Sequence, residues 1–249
     1  MIRFPKEKNK IQIINYFKNY GLLKILKINT SEFDPNFSDL YRLHQFIILN
    51  KRTTVLEFGS GWSSLIMQHA LNINRKKFAK DILPLRRGNP FELFVIENKK
   101  KYLNITKKRS KKYFKNLKRV HFFFSECQMT TFNKKFACEY KKIPKCNPDF
   151  IYLDGPNPFT VKKKVYGFNL KHKDLMPMSC DILKFEHYLI PGTIIVVDGR
   201  TANATFLKNN FQRKWKYKHD KKNDQSIFVL MDKSLGPISD LQLKFYKRK

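Results

Sequence analysis

Residues 54–64 read Thr-Val-Leu-Glu-Phe-Gly-Ser-Gly-Trp-Ser-Ser, the most specific segment of the chain. Thr54 to Phe58 is a short apolar run carrying one carboxylate, Glu57. Gly59, Ser60 and Gly61 follow, and the chain continues as WSSLIMQHALNI, a helix-like stretch. A strand that turns through glycines into a helix places a nucleotide-like ligand at its carboxyl end. The glycines allow backbone to approach that ligand closely. A dinucleotide-binding turn is the obvious rival, but it has a third glycine where this chain has Ser64. Glu57 would also repel a diphosphate.

Working outward, the same pattern repeats. LFVIE (93–97), VHFFF (120–124), DFIYLD (149–154) and TIIVVD (193–198) are further strand-like runs. KKYLNITKKRSKKYF and CDILKFEHYL lie between them as helix-like stretches. Continuous apolar strands alternating with helices predict an α/β fold with a parallel sheet covered on both faces. WKYKHDKKNDQSIFVLMD reads as two strands about a polar turn, an antiparallel C-terminal hairpin at the sheet edge. Residues 1–50 form a helical N-terminal segment. IQIINYFKNYGLLKIL (11–26) has near-helical apolar spacing with a break at Gly21, and SDLYRLHQFIIL (38–49) opens on Ser38 as an N-cap. The basic stretch 99–118 reads as a solvated helix face.

Composition sets the outer limits. The chain has 249 residues with 42% hydrophobic, enough for one large α/β domain. No apolar run approaches the roughly 20 residues of a membrane-spanning helix. The opening MIRFPKEKNK lacks the apolar stretch of a signal peptide. Cys127, Cys138, Cys146 and Cys180 show no CxxC spacing, which points to a reduced, cytoplasmic protein rather than a zinc knuckle. The formal net charge of +31 attracts anions. It is mostly lysine spread along the whole chain, in the company of many Asn, Ile, Phe and Tyr, which reads as compositional bias more than as a dedicated nucleic-acid surface.

Glu57-x-Gly59-x-Gly61 after a Val-Leu strand resembles the first motif of class I S-adenosylmethionine-dependent methyltransferases. The resemblance runs over roughly residues 53–232. It implies a doubly wound, Rossmann-like seven-stranded sheet in a methyltransferase domain of residues 51–249. It further implies S-adenosylmethionine as cofactor, a ligand with a sulfonium, an ammonium and no phosphate, bound by Glu57, Gly59, Ser60, Gly61 and Ser63. Glu97, ending Val95-Ile96-Glu97, corresponds to the acid that binds both ribose hydroxyls. Ser125 and Glu126 follow the third strand, where the family often contacts adenine. Asp154, in Leu153-Asp154-Gly155-Pro156, resembles the fourth motif, which faces the transferred methyl. The long separation of Gly61 from Glu97 implies an insertion around Leu83–Pro90.

Methyl transfer is an in-line displacement, and the protein mainly aligns the two partners. A hydroxyl acceptor also needs a base or a metal to help remove its proton. Asp154 and Asp198 both end apolar strands and are expected to share one rim, as catalytic acids or as ligands of a divalent metal with Asn203 assisting. Arg200 is a candidate clamp for an anionic group, and His172, in the segment 157–180, a candidate base. His44, His69, His121, His187 and His219 read as helix or strand positions. The reading favours O-methylation of a small-molecule or glycan-type acceptor. RNA methylation through the basic surface, or a non-catalytic nucleic-acid-binding module on the same fold, are the alternatives.

Overall fold

The computed structural model describes residues 2–26, 34–114 and 116–248. Its centre is strand β1 (Thr54–Phe58), all five residues of which are buried. Such a strand needs cover on both faces and a neighbour on each edge. β2 (Glu92–Glu97) and β6 (Phe150–Leu153) supply the edges, both parallel to β1. β3 (Val120–Phe124) extends the sheet beside β2, and β7 (Ile194–Asp198) extends it beside β6. β9 (Gln225–Leu230) runs antiparallel to both β7 and β8 (Trp215–Asp220). The seven-stranded order is β3-β2-β1-β6-β7-β9-β8, a doubly wound sheet closed by the antiparallel hairpin the sequence predicts.

The chain leaves β1 toward β2 and β3, then returns to β6 on the other side, so the sheet reverses direction between β1 and β6. Ligands bind at such a switch point, outside the carboxyl ends of the strands. Register brings those ends level. Phe58 pairs with both Ile96 and Leu153, and Leu153 with Val197. Glu97, Asp154 and Asp198 therefore emerge along one edge.

Leu56, Phe58, Ile96, Ile151, Leu153 and Val197 face one core layer, and Val55, Leu93, Val95, Tyr152 and Val196 face the other. Each such side chain contributes about 1.5–3 kcal/mol by leaving water. Exposed ion pairs contribute about 0–1 kcal/mol each, so the sheet's two faces hold the fold. α3 (Phe37–Leu49) and α4 (Trp62–Phe78) cover the second layer through Leu43, Phe46, Met67 and Leu71. α1 (Lys10–Asn19) and α2 (Leu23–Leu26) bring Phe17, Leu22 and Leu26 against Trp62 and Leu65 at the start of α4. Gly21 lies between these two helices at φ +70°, the break read from the sequence.

Several elements differ from expectation. Asn36, not Ser38, caps α3: its side chain accepts from the amides of Ser38 and Asp39 at 3.0 and 3.4 Å. β4 (Cys127–Phe132) and β5 (Lys135–Tyr140) form a separate antiparallel pair, outside the strand-like runs read from the sequence. The helix read in CDILKFEHYL is only α6 (Asp181–Phe185), followed by a 3-10 turn. α7 (Thr201–Asn210) and α8 (Pro237–Lys247) were not anticipated. The Leu83–Pro90 region holds a 3-10 turn, and its Leu85 packs with the following Phe91 on Phe245 and Tyr246 of α8. α5 (Lys100–Tyr113) is largely solvated, yet Leu103, Thr106, Arg109 and Ser110 are buried.

Candidate functional site

Two loops meet backbone to backbone at the switch point. Gly59 has φ +105°, and a Cβ there would stand 3.1 Å from the Asp154 carbonyl carbon. A Cβ on Gly155 would stand 2.7 Å from the Gly59 amide nitrogen. Only glycine allows both the conformation and the approach. The contact forms the floor of a cleft whose walls are the loop after β1, the ends of β2 and β6, and one face of α5.

Glu57 does not line this cleft. It is fully buried and accepts hydrogen bonds from the hydroxyls of Ser63 and Ser64, the latter at 2.5 Å. Burial pushes its carboxyl up to about 8, against the pull of the two hydroxyls. Glu57 and Ser63 thus fasten the start of α4 from behind, which differs from the ligand contacts expected of them. Gly59, Ser60, Gly61, Glu97 and Asp154 do line a cavity of about 420 Å³. Glu97 accepts from the Ser60 hydroxyl at 2.8 Å and from the Lys99 amide at 2.9 Å, and burial raises its pKa. Asn98 closes the loop after β6 onto this wall by donating to Thr160 at 2.8 Å and accepting from the Asn157 amide at 3.0 Å.

Ser125 and Glu126 lie elsewhere. The Ser125 hydroxyl accepts from the Lys142 amide at 2.9 Å, and Glu126 pairs with Lys141 at 2.6 Å. In their place the wall is made by Tyr102, Ile105, Thr106 and Arg109 of α5. Their 3-1-3 spacing puts them on one helix face, a signal hidden among the lysines of that segment.

Asp154 and Asp198 open onto a second recess of about 490 Å³, which also shares Arg200 with the first cavity. Desolvation where the two cavities join pushes the half-exposed Asp154 carboxyl up to about 6. Arg200 opposes the rise with its Nε 3.6 Å away, and Asp198 adds to it. Asp198 accepts from the Tyr152 hydroxyl at 2.6 Å, and burial raises it too. Two acids unforeseen in the sequence complete this recess: Asp39 from the first turn of α3 and Asp224 from the turn before β9. Burial first, and then the charge of Asp198, push Asp39 up to about 7.

The donor set does not fit a metal. Among the described residues, no three His, Cys, Asp or Glu side chains are grouped to hold one. Asp154 is turned to Arg200 and Asp198 to Tyr152. Asn203, the proposed helper, is buried in hydrogen bonds with the Ser179 backbone. His172 is also misplaced for a base: it is exposed, bonded to the Asp174 amide at 3.3 Å, and belongs to neither cavity wall. His44 and His69 pair with each other at 2.9 Å beneath the N-terminal helices. His121 is bonded to Glu92 and His187 to Gln212.

No protein-family model matches the chain, and no curated protein sequence matches it. Solved structures do. The SAH-bound Podospora anserina methyltransferase PaMTH1 superposes with a TM-score of 0.55 at 13% identity, over 93% of this chain and 100% of that one. The O-methyltransferase from Bacillus cereus in complex with SAH gives a TM-score of 0.41 at 12% identity, over 92% of each chain. The likeness to PaMTH1 and the strand order show an α/β chain with the Rossmann-like methyltransferase fold. No helix among the described residues is long and apolar enough to cross a membrane.

Proposed function

We propose that this chain is an S-adenosylmethionine-dependent methyltransferase that methylates a hydroxyl of a small-molecule or glycan-type acceptor. The observation that carries the reading is the meeting of two cavities at Asp154, one walled by the glycine turn and Glu97, the other by aspartates. The first cavity suits the cofactor: Gly61 leaves its wall open, and a carboxylate at the end of β2 can accept from two ribose hydroxyls.

When bound, S-adenosylmethionine supplies a methyl group already activated by its sulfonium. The chain's own residues position and deprotonate. Glu97 and Ser60 would hold the cofactor's ribose side. Asp154, with its carboxyl near 6, is ionised at neutral pH and takes the proton of an acceptor hydroxyl in the second recess. Asp198 and Asp39 orient the acceptor, and residues 1–50 wall the recess through Asn36, Ser38 and Asp39. Aspartates outnumber the two cations, Arg200 and Lys222, in the recess, which argues against a phosphate-rich acceptor such as RNA despite the net charge of +31. The four cysteines are free thiols, which supports a cytoplasmic setting.

Isothermal titration tests the reading. Binding of S-adenosylmethionine and S-adenosylhomocysteine at micromolar concentration is expected. No heat with either, alongside binding of NAD, overturns it.

A further inference from the structure

Arg109 and Arg200 both line the cofactor cavity with buried donors left over, but Arg200 faces a carboxylate. Arg109 is only 6% exposed. Its guanidinium carbon lies 3.6 Å from the centre of the Trp62 ring. Its Nε and one terminal nitrogen are buried without a hydrogen-bond partner. Arg200, at the other end of the same cavity, donates to two backbone carbonyls and faces Asp154. Among the described residues no carboxylate forms an ion pair with Arg109.

Arginine does not escape this by losing its proton. A buried, unpaired ion is strongly destabilising. Stacking on the indole returns only part of that cost. The remaining donors form part of a planar fork, and the ring stack holds that plane in place. A fork of this kind matches a carboxylate. A second feature points the same way. Trp62 is the first residue of α4, a 17-residue helix whose cap, Gly61, has no side chain to offer. The positive end of the helix dipole therefore adjoins the guanidinium.

We propose that Arg109, braced by Trp62, binds the carboxylate at the amino-acid end of the cofactor and so selects the whole cofactor over its nucleoside fragments. The proposal rests on the reading of the cavity as an S-adenosylmethionine site, whose ligand carries a single anionic group. In that reading Glu97 would hold the ribose and Asp154 would stand on the acceptor side. The glycine turn between them leads to Gly61, Trp62 and Arg109. Arg109 is a binding residue; it does no chemistry on the methyl group.

Titration of two ligands into three proteins tests this. S-adenosylhomocysteine carries the carboxylate, and 5′-methylthioadenosine lacks the whole amino-acid end. Arg109→Met is expected to weaken S-adenosylhomocysteine by roughly ten- to a hundredfold, the scale of one charge-assisted pair. Its affinity for 5′-methylthioadenosine should stay within about twofold of wild type. Arg109→Lys, which keeps the charge and loses the fork, should fall between. Equal weakening of both ligands assigns Arg109 a structural role and overturns the proposal, as does unchanged binding of S-adenosylhomocysteine. A wild-type protein that binds neither ligand fails at the cofactor reading itself, a result distinguishable from the other two.

Discussion

Arg200 grips Asp154 by both its backbone and its charge: one terminal nitrogen donates to the Asp154 carbonyl at 2.7 Å while Nε stands 3.6 Å from the carboxylate. The pair sits where the two cavities join, so the arginine fixes the loop and tunes the acid together.

A pH profile follows from that pairing. A base must be ionised to act, so kcat/KM should rise with pH and level off above about 6, where the Asp154 carboxyl titrates. Arg200→Met removes an attraction that lowers this pKa, and the rise should move to higher pH. Asp198→Asn removes a like charge that raises it, and the rise should move to lower pH. Asp154→Asn should cost turnover far more than cofactor affinity. A profile that none of these variants displaces would remove Asp154 from the role of base.

Chelation is expected to change nothing. Asp154 and Asp198 are already engaged with Arg200 and Tyr152, and no third ligand joins them among the described residues. Turnover measured with and without excess EDTA should agree. A loss under EDTA that magnesium restores would show that the recess recruits ligands by rearranging.

The two glycines of the turn should fail in different ways. Gly61 has only the Ser63 hydroxyl near its missing Cβ, at 3.8 Å, so Gly61→Val keeps the fold and fills the cavity. Thermal melting should be near wild type and S-adenosylhomocysteine binding lost. Gly59→Ala meets both positive φ and the Asp154 backbone, so it should destabilise the protein by about 1–3 kcal/mol before any ligand is added.

At the opposite edge of the sheet, Asp149 ties β1 to α8. It is fully buried and accepts from the Thr53 and Thr54 amides and from the Tyr246 hydroxyl at 2.8 Å. Arg87 lies 3.9 Å away. Asp149→Ala strands these donors and should cost about 3–5 kcal/mol in urea unfolding, with cofactor affinity of the folded fraction unchanged.

The strands were legible because β1, β2, β3, β6 and β7 are continuous apolar runs, and their acids followed from where each run stops. The β4–β5 pair was not. Its turn, Asn133-Lys134, adopts positive φ at both residues without the glycine that usually announces such a turn, and its strands are only half buried. Glu97, Asp154 and Asp198 were read as strand ends. Asp39 and Asp224 reach the recess from a helix start and a hairpin turn, positions that only the tertiary fold brings together. Arg109 was invisible for a different reason: in a lysine-rich helix one buried cation has no local mark.

Glu57 offers a prediction about stability rather than turnover. Its carboxyl is raised to about 8 in the folded chain, chiefly by burial, against about 4.3 in an unfolded one. Folding therefore binds a proton between these limits. The fold is favoured below about pH 4, and that advantage is lost progressively as pH rises toward 8. Glu57→Gln keeps the shape and the acceptor for Ser63 or Ser64 but does not titrate. Urea unfolding at pH 5 and pH 8 should show the wild type losing more stability across the interval than the variant. Other groups titrate equally in both proteins, so the difference isolates Glu57. Parallel losses in the two proteins would mean that Glu57 is ionised throughout, held so by the two serine hydroxyls that bind it.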